Sequence, residues 1–266
     1  MLIILLKEKK MSRKTMAVSF CLFLLLIAMP VFAQQSVDKS NIDPIQILKG
    51  MDDFTNGFSD QEMEFTFNVY DVNGSLKKYD AIIQQKGRDK RIIRFKSGEV
   101  KGMSILTEEN DRMYVYLPGY KRVRRIAAHN MNQSFVGSDY TNTDMAACDY
   151  SRDYDAVKTK EDEKFWWLTL TPKSGKKLDY AKLVMKISKD VFRMWETEYY
   201  NAKGELLKVF SIEEPKDFGT KVTWPGQVQM RDARTGHKTV LVIHTFKVEM
   251  GLKDSMFTQR YLQWAR

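Results

Sequence analysis

Hydrophobic positions along this chain follow two rhythms and one interruption. Between Asn41 and Gly57 they recur every three to four residues: Ile47, Leu48, Met51 and Phe54 share a face, Asn41 or Asp43 can cap the start, and Pro44 suits a first turn. One amphipathic helix ending near Gly57 is expected. From Glu62 the period drops to two, with Met63, Phe65, Phe67 and Val69 on one side and Glu62, Glu64, Thr66 and Asn68 on the other. Asn73-Gly74 then closes a hairpin into a second strand over residues 76–86.

The same alternation predicts strands at residues 90–96, 100–108, 112–117, 121–127, 165–171, 181–188, 194–200, 206–213, 228–233 and 239–248. Short turns carrying Gly, Asn or Asp separate many of them, so neighbours should run antiparallel. The interruption is residues 128–155, rich in Asn, Ser and Asp, with a helical possibility at 141–147. A long irregular insertion between strands is commonly functional. The C-terminal stretch 254–264, capped by Asp254 and carrying Phe257, Tyr261 and Leu262, suits a short helix. About a dozen strands without a βαβ rhythm predict a mainly β protein with a few helices, one large antiparallel sheet curled into a barrel or part-barrel.

The N-terminus changes how composition is read. Lys7, Lys9, Lys10, Arg13 and Lys14 precede an apolar run from Ala17 to Ala28, then Pro30 and Val31-Phe32-Ala33, the layout of a secretory signal cleaved after Ala33. The run is shorter than the roughly 20 residues of a membrane span, and either Met1 or Met11 can be the start. The expected organisation is therefore a signal peptide over 1–33 and a single domain over 34–266. Removing the signal's five basic residues and Glu8 lowers the formal net charge from +9 to +5, which weakens a nucleic-acid partner. Cys21 lies too early in the apolar run for a lipid-modified cysteine, and Cys148 is the only cysteine beyond the signal, so no intramolecular disulfide is expected.

Enzyme signatures are scarce. His129, His237 and His244 lack metal-ligand spacing, there is no G-x-S-x-G, P-loop or HExxH run, and Cys148 reads as a small buried hydrophobe. No catalytic residue, metal or cofactor is expected. The sharpest charge feature is Lys121-Arg122-Val123-Arg124-Arg125, which in an extended strand places cations on both faces. It reads either as a strand end in water or as a contact for a phospholipid headgroup or an acidic partner. Trp166-Trp167 must point to opposite faces, and with Trp195 and eleven methionines beyond the signal they furnish either ordinary packing or an adaptable apolar cavity.

The run Tyr116-Leu117-Pro118-Gly119-Tyr120-Lys121-Arg122-Val123-Arg124-Arg125-Ile126, followed by Ser134-Phe135-Val136-Gly137-Ser138-Asp139-Tyr140-Thr141 and Asp144-Met145, resembles the signature of the outer-membrane lipoprotein-sorting (LolA-like) family, in its broader branch. The leading helix, Trp224-Pro225 and the segment from Asp254 to Thr258 resemble it more loosely. The resemblance implies a periplasmic, non-enzymatic carrier: an incomplete antiparallel half-barrel, lidded by helices, that takes the acyl chains of a lipid or lipoprotein into its concave face. On that reading Phe65, Phe67, Trp166, Trp167 and Trp195 line the cavity and Arg122, Arg124 and Arg125 meet a headgroup. Asp139 or Asp144 would latch the lid against Arg124 or Arg125. Partners would be the acyl chains and an inner-membrane exporter, with the protein a monomer. Two rivals stand beside it: a cell-envelope interaction module that uses the insertion and carries nothing, and an exported hydrolase dependent on Asp139 or Asp144.

Overall fold

A computed structural model of the protein describes residues 41–109, 112–146, 149–213 and 215–264. The proposed signal segment and Cys148 lie outside the described residues. The helix α1, Pro44–Asn56, begins where Asp43 caps it by accepting a hydrogen bond from the Ile45 amide at 2.9 Å. Strands β1 (Asp60–Tyr70), β2 (Leu76–Lys86), β3 (Lys90–Phe95), β4 (Ser104–Glu108), β5 (Arg112–Leu117) and β6 (Arg122–Arg125) follow as a meander. The insertion holds a 3₁₀ turn at Ala128–Asn130 and the short helices α2 (Asn142–Ala146) and α3 (Tyr150–Asp153). Then come β7 (Tyr154–Glu161), β8 (Phe165–Pro172), β9 (Lys182–Ser188), β10 (Met194–Tyr200), β11 (Leu206–Ile212), β12 (Pro215–Lys216), β13 (Trp224–Pro225), β14 (Gln227–Asp232) and β15 (Lys238–Val248), with α4 (Gln259–Trp264) last.

Thirteen strands form one antiparallel sheet in the order β6-β5-β4-β3-β2-β1-β15-β14-β11-β10-β9-β8-β7, while β12 and β13 pair separately. The sheet does not close. Its two edges, β6 and β7, are consecutive in the chain, so the insertion between them must cross the open side.

The two faces are chemically distinct. The concave face gathers Ile47, Leu48 and Met51 from α1 with Phe65, Phe67, Ile93, Phe95, Trp166, Leu168, Met185 and Phe246. Gly50 lets α1 sit this close: a Cβ there would meet the Phe192 ring at 2.7 Å. A smaller cluster on the outer face, Ile92 and Leu106, is covered by Leu252, Phe257 and Leu262 of the C-terminal segment. Asp60, 2% exposed, anchors that segment by accepting hydrogen bonds from the amides of Met250 at 2.7 Å and Leu252 at 2.9 Å. Asp60→Ala leaves both donors without this acceptor and is expected to cost about 2 kcal/mol in urea unfolding, with protection lost first over 250–264.

The sheet and most strand boundaries match the alternation. Three expectations need correction. First, β4 starts at Ser104, not residue 100: Gly98 and Gly102, with φ of 74° and 82°, turn the chain, and the Gly102 amide bonds back to the Phe95 carbonyl at 2.9 Å. Second, Lys121 is not in a strand. Its φ of 50° places it in the turn before β6. Third, the insertion ends at Asp153, because β7 begins at Tyr154. As an edge strand β7 pairs only with β8 and buries little beyond Tyr154, so its outward Lys and Thr residues hide the alternation. The helical cover also divides: α1, α2 and α3 lie with the concave side, whereas α4 packs against β4, β5 and β6 on the other.

Candidate functional site

The concave interior is filled at one end and hollow at the other. At the filled end the insertion lowers Phe135 and Tyr140 onto the sheet: Phe67 meets their rings at 6.1 and 6.2 Å, and Phe95 meets Phe135 at 6.0 Å. At the hollow end lies a cavity of about 190 Å³ whose wall is almost wholly apolar, built from Phe54 of α1, Met63 and Phe65 of β1, Met194 of β10, Phe210 of β11 and Ile243 of β15. One rim is the stack of Trp224 between Phe54, 5.8 Å away, and Phe246, 4.5 Å away. A second space of about 150 Å³ shares Thr55, Met194 and Phe210 with the first and continues toward Asp52, Arg91 and Tyr150. Three methionines, Met63, Met145 and Met194, among aromatic side chains give this wall freedom to repack.

A buried polar network fastens the insertion over this interior. Lys208 of β11 and Asp144 of α2 form an ion pair with side chains 8% and 6% exposed. Asp144 also accepts from the Tyr180 hydroxyl at 2.8 Å and the Thr141 amide at 2.7 Å, and the Lys208 ammonium donates to the Asp139 carbonyl at 3.1 Å. The Asp139 carboxylate meets His237 Nδ1 at 2.7 Å and accepts from the Thr239 hydroxyl at 2.7 Å. Burial pushes the phenols of Tyr140, Tyr180 and Tyr199 up, so around neutral pH they stay uncharged beside Asp144.

Asp52 makes a second fastening. It lies on α1, 1% exposed, and accepts from the amides of Tyr150 at 3.0 Å and Ser151 at 2.7 Å at the start of α3. Burial pushes its carboxyl up to about 6, helped by repulsion from Asp149 and opposed by those hydrogen bonds. The folded protein therefore holds this proton more tightly than the unfolded chain, whose aspartates titrate near 3.8. The stability Asp52 contributes is full below about pH 4 and is lost as pH rises through about 6. The melting temperature of Asp52→Asn should gain on that of the unsubstituted protein between pH 4 and 7; a difference independent of pH would contradict this.

The residues singled out from sequence divide. Phe65 lines the cavity, Phe67 belongs to the filled end, and Trp166 is fully buried against Phe192, ring centres 5.4 Å apart. Trp167 and Trp195 are on the outer face. Trp167 receives Lys160 over its ring at 4.4 Å, and Trp195 meets Phe165 at 5.7 Å. A register shift between Met194 and Glu196 sends Trp195 outward and Met194 inward. Arg122 and Arg124 pair in register with Leu117 and Val115, which pack on the concave cluster, so both are exposed at that face's edge. Arg125 pairs with Tyr114 on the outer face. Asp139 and Asp144 do join the insertion to the sheet, but their partners are His237, Thr239 and Lys208 rather than Arg124 or Arg125. The arginine strand is at the sheet's edge, whereas the insertion descends onto its middle strands. Sequence reasoning missed Lys208 and most of the cavity wall. Alternation places Met63 on the same face as Phe65, but Phe210 shares its face with Lys208 and the strand of Ile243 is apolar on both sides, so neither phase is legible, and which inward residues border a hollow depends on packing.

The three histidines have ordinary surroundings. His244 is exposed with Nε2 2.7 Å from the Thr66 hydroxyl, His237 is held by Asp139, and His129 is on the 3₁₀ turn. Among the described residues, no group of three or more His, Cys, Asp or Glu side chains could hold a metal ion.

The structural relatives share this architecture. A DUF1329 family protein from Desulfovibrio piger superposes with a TM-score of 0.76 at 25% identity, covering 83% of this chain and 100% of that one. A domain described as an outer membrane lipoprotein-sorting protein, from Vibrio parahaemolyticus, gives 0.74 at 21% identity over 83% of this chain and 98% of its own. A LolA superfamily protein from Nitrosomonas europaea gives 0.69 at 21% identity, with coverages of 83% and 99%. No curated protein matches the chain. The model of a family described as "-like: Uncharacterized protein" matches residues 87–264. The chain belongs to that family, and its curled open sheet is the fold of the LolA-like, lipoprotein-sorting proteins.

Proposed function

We propose that the protein is a periplasmic carrier that takes acyl chains of a lipid or lipoprotein into the concave face of its sheet and serves lipoprotein sorting or lipid transport between membranes. The observation that carries this reading is the apolar hollow behind Phe54, Met63, Phe65, Met194 and Phe210, closed over by α1, by Met145 of α2 and by Trp224-Pro225 rather than by the large sheet itself. At about 190 Å³ it is smaller than the roughly 300–1,000 Å³ of ordinary ligand sites. A chain of more than a few methylenes enters only if α1 or the insertion shifts, and each methylene buried then contributes about 0.8 kcal/mol. Arg122 and Arg124 stand at the edge of the same face, where they can orient a headgroup or an exporter surface.

Protein purified from its own host should release lipid in native mass spectrometry and should bind an apolar fluorescent probe that added fatty acid displaces. An empty mass together with no probe binding would sink the carrier reading. One observation favours a non-carrying interaction module: a wide cleft of about 830 Å³ beside the insertion, of mixed polar and apolar surface, with Asn132, Asp179, Glu205, Asp232 and Arg234 among its charged and polar walls. Deleting the insertion would remove Phe135 and Tyr140 from the core, so paired surface changes Asp179→Lys and Arg234→Glu are the cleaner test. Loss of envelope partners with unchanged lipid content would favour the module.

A further inference from the structure

We infer that the outer face of the sheet carries a second ligand site, separate from the interior: a groove beneath α4 that binds the phosphate group of an amphiphile. Four strands align to make its floor. Ile82 of β2, Arg94 of β3, Ser104 of β4 and Tyr116 of β5 are successive partners in register, on the face away from Phe65 and Phe67. Tyr261 of α4 overhangs them, with the Arg94 guanidinium 5.4 Å from its ring centre. The resulting groove has a volume of about 740 Å³, within the range of small-molecule sites.

Its charge is one-sided. Arg94, Lys96, Lys101 and Lys121 all line it, and no carboxylate does among the described residues. Asp80, the acid nearest Ile82 along β2, is already held by the hydroxyls of Thr66 at 2.7 Å and Ser97 at 2.9 Å. None of the four cations has an ion-pair partner among the described residues. Arg94 is the informative member. Its Nη2 donates to Gln84 Oε1, while its Nη1 is buried with no hydrogen-bond partner among the described residues. A buried guanidinium N–H left unbonded is costly, and a small shift of the Tyr261 ring that covers the guanidinium would open it to an anion oxygen in the groove. A planar fork backed by three mobile ammonium groups suits a phosphate. Ile82, Tyr116, Pro118 and Tyr261 offer apolar surface next to the charge, which suits an anion attached to an alkyl chain rather than a bare ion.

The test uses protein purified from its own host, the double variant Lys101→Glu/Lys121→Glu, and Arg94→Gln. Lys101 and Lys121 are exposed, so the double variant should fold, and circular dichroism checks this. Three probes are titrated: phosphatidylcholine vesicles, the same vesicles containing phosphatidylglycerol, and inorganic phosphate. Binding to the anionic vesicles should exceed binding to the neutral ones and fall at least tenfold in the double variant. Arg94→Gln should also weaken it. Saturable binding of inorganic phosphate, lost in the same variants, would support the site with a free phosphate as its ligand; binding of anionic vesicles alone would assign it to a lipid headgroup. Equal affinity for both vesicle types with no phosphate binding would overturn the inference, as would a folded double variant that binds like the unsubstituted protein. Displacement of the apolar probe from the interior should be unchanged in these variants, so failure here is distinguishable from failure of the carrier reading.

Discussion

Lys208→Met is expected to lower stability by roughly 3–5 kcal/mol, read as a shift in the urea midpoint at constant slope. Methionine keeps the packing of the side-chain stem against Tyr180 and Tyr199 but leaves the Asp144 carboxylate buried without its cation. The Asp139 carbonyl loses a donor as well. The loss therefore comes mainly from the stranded charge rather than from the ion pair itself. A second substitution separates the two. Asp144→Asn in the Lys208→Met background removes that charge while still offering hydrogen bonds to Tyr180 and Thr141, and should restore more than half of the lost stability. If the double variant is as unstable as the single, the ion pair's geometry rather than the uncompensated charge sets the cost. Because this pair ties α2 to β11, amide exchange in residues 128–146 should rise in Lys208→Met more than exchange in β1 or β15.

The second large effect is in the filled end of the interior. Phe67→Ala should cost about 3–5 kcal/mol, corresponding to a fall in melting temperature on the order of 10 °C for a domain of this size. Phe67 is fully buried and touches Phe65, Phe95, Phe135 and Tyr140, contributed by two strands of the sheet and the insertion above them, so no single neighbour can collapse into the space. Trp167→Ala supplies the contrast. That ring is half-exposed on the outer face, with Lys160 and Lys186 as its cationic neighbours, and its loss should cost about 1 kcal/mol. Comparable losses at the two positions in thermal unfolding would contradict the assignment of faces.

The opposite directions of Phe67 and Trp167 are legible in the amino-acid sequence. Period-two alternation is a local property, so the inward phase of Phe65 and Phe67, and the opposed directions of Trp166 and Trp167, followed from spacing alone. The sense of Trp195 did not, because one irregularity after Met194 changes the phase of everything beyond it. Strand β7 escaped notice because an edge strand needs little apolar sequence to be held on one side. Asp139 and Asp144 drew attention as acids in a polar insertion, but their partners Lys208 and His237 are about 65 to 100 residues away in sequence. Only the sheet order brings β11 and β15 beneath the insertion. The hollow itself is a difference between wall and filling, and no run of residues encodes it locally.

The open seam between β6 and β7 has a mechanical consequence. A closed barrel can enlarge its interior only by breaking a ladder of backbone hydrogen bonds, whereas a sheet with two free edges can relax its curl while every ladder stays intact. Here the cost of swelling falls on the side-chain fastenings that hold the insertion and α1 over the concave face, Asp144 to Lys208, Asp139 to Thr239 and Asp52 to the start of α3. Those edges are also protected while the seam is open: β6 is four residues long and three of them are arginines, and β7 carries Lys158 and Lys160. Charge on both edges, and the shortness of β6, discourage the addition of a foreign strand. The sheet can thus act as a spring whose stiffness is set by a handful of polar contacts.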